Sequence, residues 1–274
     1  MLSNLSREPY PLKGKNVMIT GVSRWQGIGY AIARQAAAWG ASVIIHHFQP
    51  HDKEQPWGAD DLHHVLTGIE SELTDKAFLY DVSGDFADPE EPIKLMDEIN
   101  RECGHLDALI CNHGLSGSDG AIGELTAEML DKHYAVNTRS TLLLTQCFAS
   151  QHDAVRDRGK VIYMTSGQRL GSMHGEIAYA AAKGALADIT TTIADQLADE
   201  NITVNTINPG PVNTGYLNNE AWNKMKPMFP FGRFGEPEDP AQLITWLLTN
   251  EASWITGQII HTEGGFARWR PPSE

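Results

Sequence analysis

Asn16 to Gly40 reads NVMITGVSRWQGIGYAIARQAAAWG, and this stretch decides the fold. Its first five residues form a short apolar run that is typical of a buried strand. Gly21 follows, and after five more residues Gly27-Ile28-Gly29 opens a segment with apolar residues at helical spacing. A strand, a glycine-rich turn and a helix in this order can bind phosphate, because glycines admit a pyrophosphate and the helix start offers free N–H groups. A plain loop with the same glycines is the alternative at this point.

Apolar runs and helical segments continue to alternate along the chain. Strands are predicted at residues 42–48, 77–80, 106–111, 160–165, 202–207 and 258–262, and helices at 61–73, 89–103, 126–152, 177–199 and 239–250. This alternation predicts an α/β fold with one doubly wound, seven-stranded parallel sheet and helices on both faces. We expect a single domain over residues 1–274, with a core at about 12–267 and a tail at each end.

A second informative stretch, Thr165 to Ala185, reads TSGQRLGSMHGEIAYAAAKGA. Tyr179 and Lys183 are four residues apart, which puts them on one face of a helix. Ser166 comes at the end of an apolar run that is predicted to be a buried strand. A neighbouring ammonium lowers the pKa of a phenol from about 10, so these residues suit proton transfer to or from a substrate oxygen. The alternative for Tyr179 and Lys183 is an exposed helix face.

Composition and charge limit the class of protein. The 274 residues are 41% hydrophobic and 20% charged, as in an ordinary globular enzyme. The net charge of −14 disfavours nucleic acid and anionic membranes as partners. No apolar run approaches the roughly 20 residues that span a bilayer, and the N-terminal residues lack the apolar core of a secretion signal. The three cysteines have no metal-binding spacing, so we predict reduced thiols in a cytoplasmic protein and no metal site.

Three further segments invite a functional interpretation. Residues 49–61 form a long predicted loop in which Trp57 either covers the adenosine end of a cofactor, packs on a neighbouring subunit or anchors a surface loop. Residues 215–236 are aromatic and punctuated by proline, which is typical of a lid over a substrate pocket. Asn137 lies in the middle of a predicted helix, where an amide either serves another group or faces solvent.

Taken together, these pieces resemble the short-chain dehydrogenase/reductase family from about Leu12 to Ala267. The matching segments, in family order, are ITGVSRWQGIG, LYDV, LICNHG, HYAVN, the spacing of Ser166, Tyr179 and Lys183, INPGPVNT and WITGQIIHTEGG. The resemblance implies a catalytic tetrad of Asn137, Ser166, Tyr179 and Lys183. Tyr179 would be the acid–base group and Ser166 would hydrogen-bond the substrate oxygen. Lys183 would lower the tyrosine pKa and hold the nicotinamide ribose, and Asn137 would anchor a water that relays protons from Lys183.

The same resemblance implies the residues that contact the cofactor and the substrate. Cofactor contacts are expected from Gly21, Ser23, Arg24, Gly27, Ile28, Gly29, His47, Asp81, Val82, Asn112, Gly114, Tyr179, Lys183, Pro209, Gly210, Val212 and Thr214. Gln168 and Glu176 are expected to face the substrate. No residue is assigned to a metal.

Two departures from the family pattern bear on these roles. The turn between Gly21 and Gly27 has two residues more than the usual T-G-x-x-x-G-x-G, so it must bulge. The usual Asn-Asn-Ala-Gly reads Cys111-Asn112-His113-Gly114, with a bulkier third residue. Related enoyl reductases also have a stretched turn, but they usually separate tyrosine and lysine by six residues rather than the three found here. The resemblance therefore favours reduction of C=O over C=C.

We expect NADP(H) as the cofactor, with NAD(H) possible. An acid at the end of the second strand would select NAD, but the strand ends in His46-His47-Phe48, while Arg24 after Ser23 matches family members that use NADP. Asp52 or Glu54 folding back toward the ribose, or Arg24 turning into solvent, would weaken this expectation.

The predicted function is a carbonyl reductase or alcohol dehydrogenase acting on a small molecule, and the predicted assembly is a homotetramer. The alternatives are a 3-oxoacyl-[acyl-carrier-protein] reductase, a non-catalytic dinucleotide-binding regulator, and a nucleotide-sugar epimerase or dehydratase. Regulators of this type typically lose the tyrosine or the lysine, and the epimerases and dehydratases are usually longer chains.

Overall fold

Seven parallel strands form the central sheet, in the order β3-β2-β1-β4-β5-β6-β7. The computed structural model describes residues 8–216 and 219–267. The strands are β1 Asn16–Thr20, β2 Ser42–His47, β3 Leu79–Ser83, β4 Ala108–Cys111, β5 Gly159–Met164, β6 Ile202–Asn208 and β7 Ile259–His261. The predicted sheet is therefore confirmed, although β3 begins two residues later than expected.

Helices cover both faces of this sheet. They are α1 Ile28–Ala38, α2 Gln49–Glu54, α3 Leu62–Glu70, α4 Glu91–Cys103, α5 Ala127–His133, α6 Ser140–Gln151, α7 Ile177–Ala198, α8 Asn219–Met225 and α9 Glu238–Leu247. Alternate residues of β1 serve opposite faces: Val17 and Ile19 pack with α1, α3 and α9, whereas Met18 packs with α4, α6 and α7. This is the doubly wound arrangement that the sequence predicted.

The order of the strands places the functional site. The chain moves outward from β1 through β2 to β3 and then returns to the other side of β1 with β4. Ligands of such sheets bind beyond the carboxyl ends of the strands at this reversal. Thr20, Cys111 and Met164 end β1, β4 and β5 at this edge, so the residues that follow them converge there.

The predicted long helix over residues 126–152 is found at residues 127–151, with a different hydrogen-bond pattern in its middle. A π-helical stretch, Tyr134–Arg139, separates α5 from α6, and Asn137 lies within it. The hydroxyl of Ser140 donates to the carbonyl of Val136 at 2.5 Å, and that of Thr141 donates to the carbonyl of Asn137 at 3.1 Å. Wide turns of this kind occur mostly at functional sites. The prediction of a helix over residues 126–152 is therefore confirmed, whereas the π-helical stretch within it was not predicted because these residue types suit either hydrogen-bond pattern.

Residues 49–61 are also not one loop, because α2 occupies residues 49–54. Pro50 lies in its first turn, where a missing N–H costs no hydrogen bond. The tails expected before Leu12 and after Ala267 lie, apart from residues 8–11, outside the described residues. No helix within the described part of the chain is long and apolar enough to cross a membrane.

His46, at the end of β2, is buried beneath the glycine turn. Its side chain is 2% exposed, its ring stacks on Phe86 at a centroid distance of 4.0 Å, and its Nε2 lies 2.9 Å from the carbonyl of Gly84. Burial lowers the pKa of His46 to about 4; the hydrogen bond to Gly84 opposes this effect and the neighbouring His47 adds to it.

We therefore expect acid to destabilise the protein through His46. An unfolded histidine has a pKa near 6.5, so the unfolded chain takes up a proton before the folded chain does. The stability that neutral His46 contributes is complete above pH 6.5 and is lost as the pH falls toward 4. Between pH 7 and pH 5 the loss from this residue is about 2 kcal/mol.

Guanidinium unfolding at a series of pH values measures this loss. His46→Gln keeps an amide in place of the ring and should flatten the decline in unfolding free energy between pH 7 and pH 5. His64→Gln, at an exposed position on α3, is the control and should decline as the wild type does. An equal decline in all three proteins would contradict the prediction.

Candidate active site

Ser166, Tyr179 and Lys183 meet beyond the end of β5. Ser166 follows the strand, and the other two residues lie one turn apart at the start of α7. The Ser166 side chain is near enough to the Tyr179 phenol to lower its pKa, and its hydroxyl donates to the sulfur of Met173 at 3.9 Å. The ammonium of Lys183 donates to the carbonyls of Met164 at 3.0 Å and His113 at 3.2 Å, and lies 5.9 Å from the centre of the Tyr179 ring. The three groups that the sequence selected by spacing are therefore neighbours.

Burial governs the protonation of these groups. It raises the pKa of Tyr179, the nearby Glu176 and Tyr216 raise it further, and the nearby Ser166 hydroxyl only partly opposes them. Burial also lowers the pKa of Lys183 to about 8. The expected lowering of the tyrosine pKa by Lys183 is not found in this arrangement, in which the ammonium is bonded to two main-chain carbonyls. Tyr179 is consequently a neutral phenol at pH 7, which is the form that can donate a proton.

Asn137 is fully buried and held on several sides. Its Oδ1 accepts from the N–H of Leu115 at 2.7 Å, and its Nδ2 donates to the carbonyl of Leu115 at 3.1 Å. A Cβ at Gly114 would lie 3.5 Å from both the Asn137 Oδ1 and the Lys183 Nζ. Asn137 thus faces the same spot as Lys183, and it serves other groups rather than solvent.

The glycine turn depends on close backbone approaches. Gly21 has φ +72°, and a Cβ there would lie 2.7 Å from the Cα of His113. A Cβ on Gly29 would lie 2.6 Å from the Asn112 Nδ2. That amide nitrogen donates to the carbonyls of Thr20 at 3.0 Å and Gly21 at 3.1 Å. Asn112 therefore shapes the turn, and Gly27 provides the N-cap of α1.

The bulkier His113 is absorbed into the interior. Its Nδ1 lies 2.6 Å from the Thr20 hydroxyl, and its Nε2 lies 2.8 Å from the Ser140 hydroxyl and 3.0 Å from the Val136 carbonyl. Burial holds the pKa of His113 well below its usual value, and the nearby Lys183 lowers it further. The imidazole thus ties the end of β1 to the π-helical stretch.

The glycine turn, lengthened by two residues, contacts residues 49–61. The N–H of Trp25 donates to the Asp60 carboxylate at 2.8 Å. Arg24 donates to the carbonyl of Thr214 at 2.7 Å, and its guanidinium lies 5.3 Å from the centre of the Trp57 ring. Arg24 is therefore retained at the site instead of turning into solvent, and Trp57 packs against it within the same chain.

Asp52 brings a carboxylate into the turn. It is 6% exposed on α2, and the Ser23 hydroxyl donates to its Oδ2 at 2.5 Å. The alternative in which Asp52 folds back is the one found, because α2 brings its carboxylate onto the glycine turn. An acid near the ribose hydroxyls favours NAD, so Asp52 and Arg24 act in opposite directions.

The remaining cofactor candidates also line this edge of the sheet. His47 lies 3.1 Å from the Asp81 carboxylate, and Val82 pairs with His46 in the sheet. Gly210 has φ +66°, and a Cβ there would lie 2.2 Å from the Cβ of Glu263. Val212 bridges to Gly235, and its neighbours Pro209 and Thr214 belong to the same loop after β6.

Two buried side-chain nitrogens at this edge could each form a further hydrogen bond. The Nε of Arg24 and the Nδ1 of His47 have no hydrogen-bond partner among the described residues. Such groups are normally paired when they are buried. The Nε–H of Arg24 is a donor that suits a phosphate oxygen of a dinucleotide, and the His47 Nδ1, in the neutral ring whose Nε2–H faces the Asp81 carboxylate, is an acceptor that suits a ribose hydroxyl.

The predicted substrate residues have different surroundings. Glu176 immediately precedes α7, and its charge raises the pKa of both Tyr179 and Tyr216. Gln168 instead lies near α7 at Gly184, and its two amide atoms have no partner within the described chain. Glu176 is therefore close to the Tyr179 phenol. Gln168 instead packs against α7 one turn or more beyond Tyr179, at Gly184.

Sequence reasoning missed two polar residues beneath the site. Asp119 accepts from the N–H groups of Ala178 and Tyr179, and the ring of His133 packs edge-on against Tyr179 at a centroid distance of 6.2 Å. Asp119 is separated from α7 by nearly sixty residues, so no local pattern links the two.

Comparisons with known proteins extend over almost the whole chain. A family model described as enoyl-(acyl carrier protein) reductase matches residues 21–267. The uncharacterized oxidoreductase YjdA of Bacillus subtilis (strain 168) is 39% identical over 256 residues, or 93% of this chain and 97% of YjdA. The short chain dehydrogenase/reductase dmxR18 of Cryptosporiopsis sp. (strain 8999) is 30% identical over 276 residues, or 94% of this chain and 98% of dmxR18. The crystal structure of the angucycline C-6 ketoreductase LanV with bound NADP matches with a TM-score of 0.80 and 29% identity, covering 93% of this chain and 96% of LanV.

Proposed function

This oxidoreductase belongs to the short-chain dehydrogenase/reductase family, and we propose that it transfers a hydride between NADP(H) and the carbonyl or secondary alcohol of a small molecule. The observation that carries the proposal is the meeting of Tyr179, Ser166 and Lys183 beyond β5, with the ammonium of Lys183 5.9 Å from the centre of the Tyr179 ring. We place the enzyme in the cytoplasm, a location supported by its free cysteines.

Each residue of the tetrad has one task in this mechanism. The nicotinamide, when bound, supplies or accepts the hydride. Tyr179 donates the proton that the carbonyl oxygen needs during reduction, and Ser166 donates a hydrogen bond to the same oxygen. Lys183 holds the nicotinamide ribose. Asn137 anchors a water that passes protons from Lys183.

The bond reduced is C=O rather than C=C. The matching family model carries the name of an enoyl reductase, but Tyr179 and Lys183 are separated by three residues, as in the carbonyl-reducing members that the chain resembles. The name of LanV as a ketoreductase supports the same choice. Free carbonyl compounds should be better substrates than carrier-bound thioesters, because carrier proteins are acidic and this chain carries a net charge of −14.

The proposed cofactor contacts follow from the glycine turn. Arg24 reaches the edge of the site and has an unpaired Nε among the described residues, which supports a role for its guanidinium in holding a 2′-phosphate. LanV binds NADP, which supports the same preference. Residues 215–236 are proposed as the substrate lid; residues 217 and 218 lie outside the described part, and Phe229 is buried against Phe234 and Phe266.

The function is tested by following NADPH loss with a panel of ketones and aldehydes. The panel includes a carrier-bound 3-oxoacyl thioester beside its free analogue, and NADPH binding is titrated in parallel. Turnover of a free carbonyl is the expected result. Binding of NADPH without turnover of any carbonyl would support a regulator, and faster turnover of the carrier-bound thioester would support the 3-oxoacyl reductase alternative.

We also expect a homotetramer. Leu130 on α5 and Tyr134 beside it are 41% and 51% exposed, and they line a shallow groove with Ala181 of α7. Such an apolar strip suits a two-fold contact with a second copy. Light scattering should give four times the 30.2-kDa mass of the chain.

Leu130→Glu should lower that mass, because it places charge in the contact. Val155→Glu is the control, since Val155 is 93% exposed in the loop after α6. A monomeric wild-type protein at micromolar concentration would contradict the prediction, as would a Leu130→Glu protein with the wild-type mass.

A further inference from the structure

The helix that carries Tyr179 begins without a local cap. Glu176 occupies the N-cap position of α7 and makes no capping hydrogen bond with its side chain. The first N–H groups of a helix have no partner within the helix, so another group must satisfy them. Tyr179 is the third residue of α7, so whatever holds this first turn also holds the phenol.

Asp119, in the segment after β4, provides the missing cap. Its Oδ1 accepts from the N–H of Ala178 at 2.9 Å and from that of Gly120 at 2.8 Å, and its Oδ2 accepts from the N–H of Tyr179 at 2.7 Å. Burial opposes ionisation of this carboxyl, but the three amide donors more than offset it, so the pKa of Asp119 lies below its usual value. A carboxylate at a helix N-terminus is also stabilised by the helix dipole.

His133 connects this cap to Asn137. It is fully buried on α5, its Nε2 lies 3.0 Å from the carbonyl of Gly117 and 4.0 Å from the Asp119 carboxylate, and its Nδ1 lies 3.3 Å from the Asn137 Nδ2. A carbonyl can only accept, so Nε2 carries the proton and Nδ1 is the acceptor for the Asn137 amide.

The main-chain N–H and carbonyl of Leu115 fix which way the amide of Asn137 faces, and the His133 tautomer matches that orientation. Its Nδ2 donates to His133 and to the carbonyl of Leu115, and its Oδ1 accepts from the N–H of Leu115. One acceptor position of Oδ1 then remains, at the spot beside Gly114 that Lys183 also faces. An amide rotated by half a turn would present a donor there.

We propose that Asp119 and His133 are positioning residues of the active site. Asp119 sets the place of Tyr179 by capping α7, and His133 adds a hydrogen bond that holds the Asn137 amide in the orientation that Leu115 imposes. This inference rests on the proposed function for its kinetic consequences. The structural part of the inference is independent of that function, because Asp119 caps α7 and His133 contacts the Asn137 amide whether or not the protein reduces a carbonyl.

The first test uses Asp119→Asn, with Asp195→Asn at an exposed position on the same helix as the charge-matched control. We expect kcat to fall by about 10- to 100-fold, since small misplacement of a reacting group has effects of this size. The Kd for NADPH should stay within about two-fold of wild type, because Asp119 contacts none of the proposed cofactor residues except through the main chain of Tyr179. Amide hydrogen exchange at residues 177–180 should be faster than in the wild type and the control.

The second test compares His133→Phe with His133→Asn. Phenylalanine fills the space but cannot accept a hydrogen bond, whereas the asparagine oxygen can replace Nδ1. We expect His133→Phe to lower kcat at unchanged NADPH Kd and to speed amide exchange around residues 115 and 137. His133→Asn should restore most of both properties.

Wild-type kcat in both Asp119→Asn and His133→Phe would overturn the inference. Equal losses of kcat and of NADPH affinity would also overturn it, because they indicate a general loss of structure at the site. Unchanged amide exchange at the start of α7 in Asp119→Asn would overturn the capping role. If the wild type binds NADPH but reduces no carbonyl, the proposed function fails, and the exchange measurements alone decide the roles of Asp119 and His133.

Discussion

Replacing Tyr179 with phenylalanine should lower kcat for carbonyl reduction by roughly 10²- to 10⁴-fold, the usual contribution of a positioned acid. The phenol is held protonated by burial and lies near Ser166 and Lys183, so it is the group placed to give a proton to the substrate oxygen. The phenylalanine ring retains the packing against His133. NADPH binding should therefore remain close to wild type.

Tyr163→Phe is the matched control for this change. Tyr163 is also a fully buried tyrosine, its pKa is also raised by burial, and it lies on the strand that leads to Ser166. Its hydroxyl, however, lies 3.0 Å from that of Thr145 in the core. Loss of this hydroxyl should lower the unfolding free energy by about 1 kcal/mol and leave kcat close to wild type.

Single-turnover measurements with saturating NADPH separate the chemical step from product release. Wild-type kcat in Tyr179→Phe would remove Tyr179 from the mechanism.

The sequence predicts the parts of this molecule that depend on local periodicity. Asn16 to Gly40 runs from an apolar stretch through a glycine-rich turn to apolar residues at helical spacing, which favours a strand, a turn and a helix, and the structure confirms all three. The meeting of Tyr179 and Lys183 follows equally from helical spacing. Ser166 joins them because the end of a parallel strand and the start of the following helix share one edge of the sheet.

Contacts between segments that are distant in the sequence could not be predicted from local periodicity. The side chain of Asn137, in the π-helical stretch, is hydrogen-bonded to Leu115 on a different segment of the chain. Asp52 meets Ser23 only because α2 folds back over the glycine turn. The residue types at these positions are compatible with several local structures, and tertiary hydrogen bonds choose among them.

The choice of cofactor depends on such a tertiary contact. Arg24 directly follows Ser23 in the chain, Asp52 accepts from the Ser23 hydroxyl, and the two residues carry opposite charges. A guanidinium binds a 2′-phosphate through charge-assisted hydrogen bonds, which contribute about 1.5–3 kcal/mol. A carboxylate accepts from ribose hydroxyls and repels the phosphate. We expect Arg24 to outweigh Asp52, because the Ser23 hydroxyl already occupies one carboxylate oxygen while the Nε of Arg24 has no partner among the described residues.

Arg24→Ala should therefore lower kcat/KM with NADPH by roughly 10- to 100-fold and change kcat/KM with NADH by less than about three-fold. Asp52→Asn keeps an oxygen for the Ser23 hydroxyl and removes the charge, so it should raise kcat/KM with NADPH and lower it with NADH. Lys53→Ala and Glu54→Gln are the controls, because they make the same charge changes at exposed neighbouring positions. Neither control should alter the ratio of kcat/KM with NADPH to kcat/KM with NADH. An unchanged ratio in the controls excludes a general electrostatic effect.

Arg24 also donates to the carbonyl of Thr214. Equal losses of kcat/KM with both cofactors in Arg24→Ala would therefore show that Arg24 serves to hold the loop after β6. That result, or a wild-type enzyme that prefers NADH, would contradict the role of Arg24 in binding the phosphate.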